Sequence, residues 1–282
     1  MASRTIRGAR KRRKDTARFV AFSCIHSPEH DQDAIDWLCT VIEEHKPDVL
    51  ISLGDDLEAD GASRWPSEAP YKLIDEYEAD DRVKAQIASA CPSAERIRLM
   101  GNHCDNIIGM GRINPKIREL CDWRIPQFTH KGVQVNKNAL KWKVSSSYDF
   151  CRRRGVYRLG QVTFGHGWQT NMNAGRDQSV LLGTPYGLFI GGHTHAPEAV
   201  TQARMTGKVP LPYWYANAGT LRNLDPEYMR RNNGFHWGQA CVVGEADLRA
   251  GPSKSPRMSR HWVAETKVKD MYSEWVDRRG GK

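Results

Sequence analysis

An α/β fold in which two sheets pack together, flanked by helices, is predicted by three observations. Short apolar runs that end in glycine or a small polar residue recur along the chain, helical periodicity separates the early ones, and the second half passes into closely spaced strands. The runs are Phe19–Ser23, Val49–Gly54, Ile97–Gly101, Val162–Gly165 and Gly187–Gly192.

Between the first two runs, Ala34, Ile35, Leu38, Val41 and Ile42 recur at helical spacing behind an acidic start at Asp31 and Asp33, with Pro47 just beyond the end. This is a strand–helix–strand unit. Tyr71 to Ala90 reads as a second, highly charged helix with Leu73, Ile74, Tyr77, Val83 and Ile87 as its apolar stripe, leading into the third strand. Parallel pairing is therefore expected early. Later, Val156–Leu159 and Val162–Phe164 around Gly160-Gln161 predict a hairpin. Further strands are predicted over Ala199–Arg204, Val209–Ala216, Gln239–Gly244 and His261–Lys267.

Composition sets the outer bounds. The 282 residues are 39% hydrophobic and 27% charged, which suits one soluble domain with a substantial core. No apolar stretch approaches the roughly 18 residues that span a bilayer, and the chain opens on arginines without a signal-peptide core, so neither membrane insertion nor export is expected. The 7 cysteines are scattered and form no CxxC pair, which argues against a disulfide framework or zinc ribbon and for a reducing cytoplasm.

Charge divides the chain more sharply than hydrophobicity does. Residues 1–18 hold eight basic side chains against Asp15 alone, a local charge of +7 out of the net +9. Such a run cannot bury apolar surface, so residues 1–17 are expected to be a disordered arm, ahead of a domain over 18–276 and a frayed tail over 277–282. The arm is either a solubilising terminus or a grip on nucleic-acid phosphates.

Each apolar run is followed by metal-capable side chains: Cys24 and His26; Asp55; Asn102 and His103; His166; His193 and His195. Charged and imidazole groups are costly to gather in an interior unless a cation organises them, so five such strand ends imply a metal centre. In this order the segments Cys24-Ile25-His26, Gly54-Asp55-Asp56-Leu57-Glu58, Gly101-Asn102-His103-Cys104, Gly165-His166 and Gly192-His193-Thr194-His195 resemble the DxH, GDxxD, GNH(D/E), GH and GHxH motifs of the calcineurin-like metallophosphoesterases.

The resemblance spans about residues 19–220. It implies a four-layer αββα sandwich with two mixed sheets and two divalent transition-metal ions, Mn, Fe or Zn, that hydrolyse phosphate esters through an activated hydroxide. It places His26, Asp55 and His195 around one ion, with Cys24 at the position of the usual carboxylate. Asp55 bridges to a second ion completed by Asn102, His166 and His193, and His103 corresponds to the catalytic imidazole. Nucleotides or nucleic acid are the expected substrates, and a nucleic-acid-binding protein that has lost turnover is the alternative.

Two departures fall inside the motifs, both replacing a carboxylate with cysteine. Cys24 admits three outcomes: a sulfur ligand, an ion held without it, or a lost ion; packing as a compact apolar residue is its bland reading. Cys104 takes the acidic position after GNH, where it tunes His103. Glu58 replaces the final Asp of GDxxD and, with its longer arm, alters what that carboxylate can orient. Asn217, in Asn217-Ala218-Gly219-Thr220, either shapes the cleft and contacts substrate or makes a plain turn, and His30 lies within reach of substrate after the first motif. His45, His236 and His261 read as surface or core residues. Trp65, Trp168, Trp214 and Trp237 read mainly as packing, with base stacking as the alternative, and Arg152, Arg153, Arg154 and Arg158 as a solvated basic face.

Overall fold

The computed structural model describes residues 15–63, 70–118, 121, 129–130, 133–134, 137–138, 141–144, 155–170, 174, 188–206, 209–224, 237–249 and 263–269. The arm over 1–14, Trp65, Arg152–Arg154, His236, His261 and the tail over 277–282 lie outside the described residues. No helix among the described residues is long and apolar enough to cross a membrane.

The first half alternates strand and helix: β1 (Thr16–Phe22), α1 (Gln32–His45), β2 (Val49–Ser52), α2 (Leu73–Ala90), β3 (Glu95–Arg98) and α3 (Asn102–Ile113). Three short strands follow, β4 (Thr129–His130), β5 (Val133–Gln134) and β6 (Lys143–Val144). The second half is built of β7 (Val156–Leu159), β8 (Val162–Gly165), β9 (Leu188–Gly191), β10 (Pro197–Thr206), β11 (Val209–Ala218), β12 (Ala240–Asp247) and β13 (Val263–Val268). Strand β1 opens at Thr16, so the last two residues of the stretch read as an arm belong to the sheet, where they pair with Asp247 and Ala246.

Two mixed sheets result. One runs β13-β12-β1-β2-β3-β6, with β1, β2, β3 and β6 parallel and β12 antiparallel to β1; the other runs β10-β11-β9-β8-β7, with β8, β9 and β11 parallel. The early parallel pairing and the β7–β8 hairpin are as the sequence predicts.

Alternation along the strands sorts side chains between two cores. Phe19, Ala21, Val49 and Ile51 face the second sheet, where Val162, Phe164, Ile190 and Ala216 meet them, and Phe19 sits edge-on to Phe164 at 5.1 Å between ring centroids. Val20, Phe22 and Leu50 face the other way, onto Ile35, Leu38 and Ile42 of α1 and Val83 and Ile87 of α2. Each such side chain removed from water contributes about 1.5–3 kcal/mol, so a slip of one residue in β1 would invert both cores. Helix α1 is held at its start by Asp31, whose carboxylate accepts the Ala34 N–H at 3.2 Å, and is closed by Lys46 in a left-handed conformation before Pro47. The outer face of the second sheet presents Val156, Trp168, Phe189 and Tyr215; the fourth, helical layer of the expected sandwich falls outside the described residues.

Candidate metal centre

The carboxyl ends of β1, β2, β3, β8 and β9 carry the motif loops, and the parallel runs within each sheet bring those ends to one edge of the sandwich. Among the described residues seven non-glycines have positive φ, and five of them are Cys24, His26, Asp55, His193 and His195. Left-handed backbone costs on the order of 1–3 kcal/mol at such residues, so strain is concentrated where the motifs turn. Close approach of backbone helps to pack these turns together. A Cβ on Gly54, whose φ is +111°, would lie 2.6 Å from the Gly101 nitrogen, and one on Gly101 would lie 2.0 Å from Asp55 Oδ1.

Asp55 stands at the junction of the site. Its Oδ1 accepts the His103 N–H at 2.9 Å, capping the amino end of α3, and its Oδ2 lies 2.9 Å from His166 Nε2. Asn102 Oδ1 is 3.1 Å from the same Nε2, while His166 Nδ1 donates to the Leu53 carbonyl at 3.1 Å. On the other side, the Nε2 atoms of His26 and His195 are 3.1 Å apart, and His195 Nδ1 has no hydrogen-bond partner among the described residues. Three groups of candidate ligands have atoms within 4.8 Å of one another: Cys24, His26 and His195; Cys24, Asp55 and His166; and His26, Asp55 and His103. His193 belongs to none of these groups; its half-buried ring lies 5.2 Å from that of His166.

Protonation follows from the surroundings. Burial, opposed by the nearby Glu58 carboxylate, holds His26 below the ordinary imidazole value; burial and the neighbouring imidazoles drive His195 well below it and His193 down to about 4. These rings are therefore neutral at pH 7. Burial alone would lower His103 too, but Asp55 and Glu58 outweigh it and raise its pKa. Burial also works against ionised Asp55, yet the imidazoles around it pull its pKa well down. Burial, reinforced by Asp55, pushes the Cys24 thiol up; its Sγ lies 3.0 Å from Ser23 Oγ.

These distances test whether a cation suits the site. With Nδ1 committed as donor to Leu53, His166 Nε2 faces Asp55 Oδ2 and the Asn102 amide, a set of donor atoms that a cation can join. The nitrogen, oxygen and sulfur donors fit Mn, Fe or Zn. Cys24, His26 and His195 can face one ion, and Cys24, Asp55 and His166 another.

The remaining sequence-predicted residues fall differently. Asn217 is fully buried, its amide donating to Gly192 O and Thr194 Oγ1 at 2.8 Å and its oxygen accepting the Gly219 N–H at 2.9 Å, so it shapes the loop of His193 and His195. His30 is half-buried on the loop between β1 and α1, and no described contact joins its ring to the imidazole cluster. Cys104 is buried on α3 among Leu57, Met100 and Ile107. Glu58 does not pair with His103 through its carboxylate: Oε2 sits 2.9 Å from His26 Nδ1, and it is the Glu58 backbone carbonyl that accepts from His103 Nδ1.

Sequence reading passed over a buried ionic quartet behind Asp55. Asp56 takes Lys84 Nζ at 2.7 Å, Arg98 Nε at 2.5 Å and the Ser52 hydroxyl at 2.5 Å, and Arg98 reaches on to Asp80 at 2.6 Å. Lys84 also lies over the rings of Trp142 and Phe22, 4.8 and 5.3 Å from their centroids. Two cations balance two anions, which is what permits full burial. The only sequence signal is Asp80 and Lys84, four apart on the helix face that also carries Tyr77, Val83 and Ile87.

No protein-family model and no curated protein matches the chain. Similar solved structures include a phosphatase from Mycoplasma pneumoniae, 12% identical over 93% of this chain and 96% of that one at a TM-score of 0.42. Vacuolar protein sorting 29 from Cryptosporidium parvum is 10% identical over 91% and 100%, at 0.40. The phosphoesterase YfcE from E. coli is 15% identical over 81% and 87%, at 0.35. At such identities and scores these structures carry no argument about the chemistry of this chain, which rests on the site.

Proposed function

We propose that the chain is a metal-dependent phosphoester hydrolase whose metal ligands are Cys24, His26, Asp55, Asn102, His166, His193 and His195. The observation that carries this reading is the convergence of His166 Nε2, Asp55 Oδ2 and the Asn102 amide beside the His26–His195 pair. Two divalent cations bound there would supply Lewis acidity toward phosphate oxygens and acidify water.

The side chains set up the rest. His103 is anchored through Nδ1 to the Glu58 carbonyl, which leaves Nε2 for substrate; its raised pKa suits it to stabilise charge on a phosphoryl group or to protonate the leaving oxygen. Asp55 is fixed from below by α3 and flanked by the buried quartet, and Asn217 holds the loop that carries two of the imidazoles. Nucleotides or nucleic acid are the proposed substrates. The basic arm supports this choice, as do the half-buried indoles of Trp168 and Trp237, the latter 4.3 Å from the His195 ring.

Hydrolysis of mono- and bis-nitrophenyl phosphates across Mn, Fe and Zn tests the reaction: turnover abolished by chelation and restored by metal is expected. The buried, protonated thiol at Cys24 favours one alternative, a nucleic-acid binder without turnover. Salt-sensitive nucleic-acid binding with no hydrolysis in any metal would select that alternative.

A further inference from the structure

We infer that Arg222, which lies outside all the recurring motifs, is a positioning residue of the metal centre: it holds the Glu58 carboxylate against His26 and so sets which nitrogen of that ring faces the ligand cluster. The inference rests on reading the cluster as a metal site.

The chain of contacts is short and buried. Arg222, 2% exposed, places Nη1 at 3.1 and 3.4 Å from the two Glu58 oxygens, and Glu58 Oε2 lies 2.9 Å from His26 Nδ1. Glu58 Oε2 stands 2.9 Å from Nδ1 without the geometry of a hydrogen bond, so the carboxylate acts as a charge beside that nitrogen, favouring a proton there and an Nε2 lone pair turned inward, toward His195. Glu58 has one more rotatable bond than the aspartate of the resembled motif, so without a second anchor its carboxylate would be free to leave the ring. Arg222 is that anchor. Glu58 in turn neutralises a guanidinium that would otherwise oppose cations in the site.

Arg222 is itself held from several sides. Its N–H donates to Thr220 Oγ1 at 3.2 Å and its carbonyl accepts Gln239 Nε2 at 3.2 Å. The Thr220 hydroxyl and the Leu221 N–H both donate to the Cys24 carbonyl, at 2.8 and 3.1 Å, and the backbone at Arg222 bridges that at His30. The loop after β11 is thus stitched to the loop after β1. The guanidinium carbon also lies 5.9 Å from the Trp237 ring centre, and that ring meets His195, so Arg222 borders both imidazoles of the Cys24 side.

Two readouts test this on the full chain. Imidazole nitrogen NMR of the metal-free protein reports the His26 tautomer, and calorimetric titration with zinc alone reports affinity. Wild type is expected to show the Nδ1–H form. Arg222→Met is expected to show mixed tautomers and zinc affinity about 10- to 100-fold weaker. A folded Arg222→Met variant with wild-type tautomer and wild-type affinity overturns the inference. If that variant does not fold, Arg222→Lys, which keeps the charge but loses the fork, is expected to give intermediate shifts in both readouts, and wild-type values for both overturn it. A wild-type chain that takes up no zinc sinks the metal reading, while the tautomer still decides whether Arg222 sets His26.

Discussion

His166 and Asp55 meet with Nε2 and Oδ2 2.9 Å apart, while the other nitrogen of the same ring is committed to the Leu53 carbonyl. One imidazole nitrogen is thereby fixed as a donor to the backbone, and the other is left as a lone pair facing an aspartate and the Asn102 oxygen. A divalent cation at that point would be shared by the ring, the aspartate and the amide oxygen. The same logic governs His26 and His195, whose facing nitrogens share at most one proton.

His103 is the residue for which chemistry and metal binding separate. Its backbone N–H caps onto Asp55 and its ring lies 4.7 Å from that of His26. Replacing it with alanine is expected to lower kcat about 10²- to 10⁴-fold with metal content, measured by elemental analysis, unchanged. Loss of metal in parallel with activity would make His103 a ligand.

Cys24 sulfur lies within ligand range of both halves of the site. Cobalt-loaded wild type is expected to show sulfur-to-cobalt charge-transfer absorption in the near ultraviolet. Cys24→Ser should abolish it, and Cys24→Asp should keep two ions per chain without it. Identical spectra for wild type and Cys24→Ser would return the cysteine to a packing role.

Lys84 is fully buried against Asp56, and removing it leaves two aspartates facing a single arginine. Lys84→Met is expected to cost about 3–5 kcal/mol in denaturant unfolding, since an uncompensated charge stays inside. A loss under 1 kcal/mol by that measurement, on the scale of an exposed pair, would show that the quartet does not brace the Asp55 turn.

Glu76 accepts the Ala59 and Asp60 N–H groups at 2.7 and 3.2 Å, yet burial outweighs these bonds and raises its pKa from 4.5 to about 7. A raised carboxyl pKa means the folded chain holds the proton longer than the unfolded one. Its contribution to stability is therefore full below pH 4.5, declines as pH rises to about 7, and is flat above, a loss on the order of 3 kcal/mol. Chemical denaturation of wild type and Glu76→Gln across that window should show the decline in wild type alone; parallel curves would contradict it.

What the sequence discloses follows from how local each signal is. The longer strands and α1 are legible because alternation and capping are written in neighbouring residues, as at Phe19 to Phe22 and at Asp31, whereas the two-residue strands β4, β5 and β6 are too short to carry a pattern. Helix α3 is not, since Gly109 and Gly111 weaken its helical propensity and its start is capped from afar by Asp55. The motif residues stand out by order and spacing. The partners of Glu58 and Asp56 do not: Arg222 is 164 positions from Glu58, and Lys84 and Arg98 are 28 and 42 from Asp56, so only the fold joins them. Asn217 reads equally as turn or substrate contact until its hydrogen bonds are seen to run into its own loop.

Anomalous scattering from crystals grown with manganese or zinc tests the central claim most directly. Two peaks are expected about 3.5–4 Å apart, one bounded by Cys24, His26 and His195, the other by Asn102, His166 and His193, with Asp55 between them. Side chains in the arrangement described here, with no peak at saturating metal, would contradict the account.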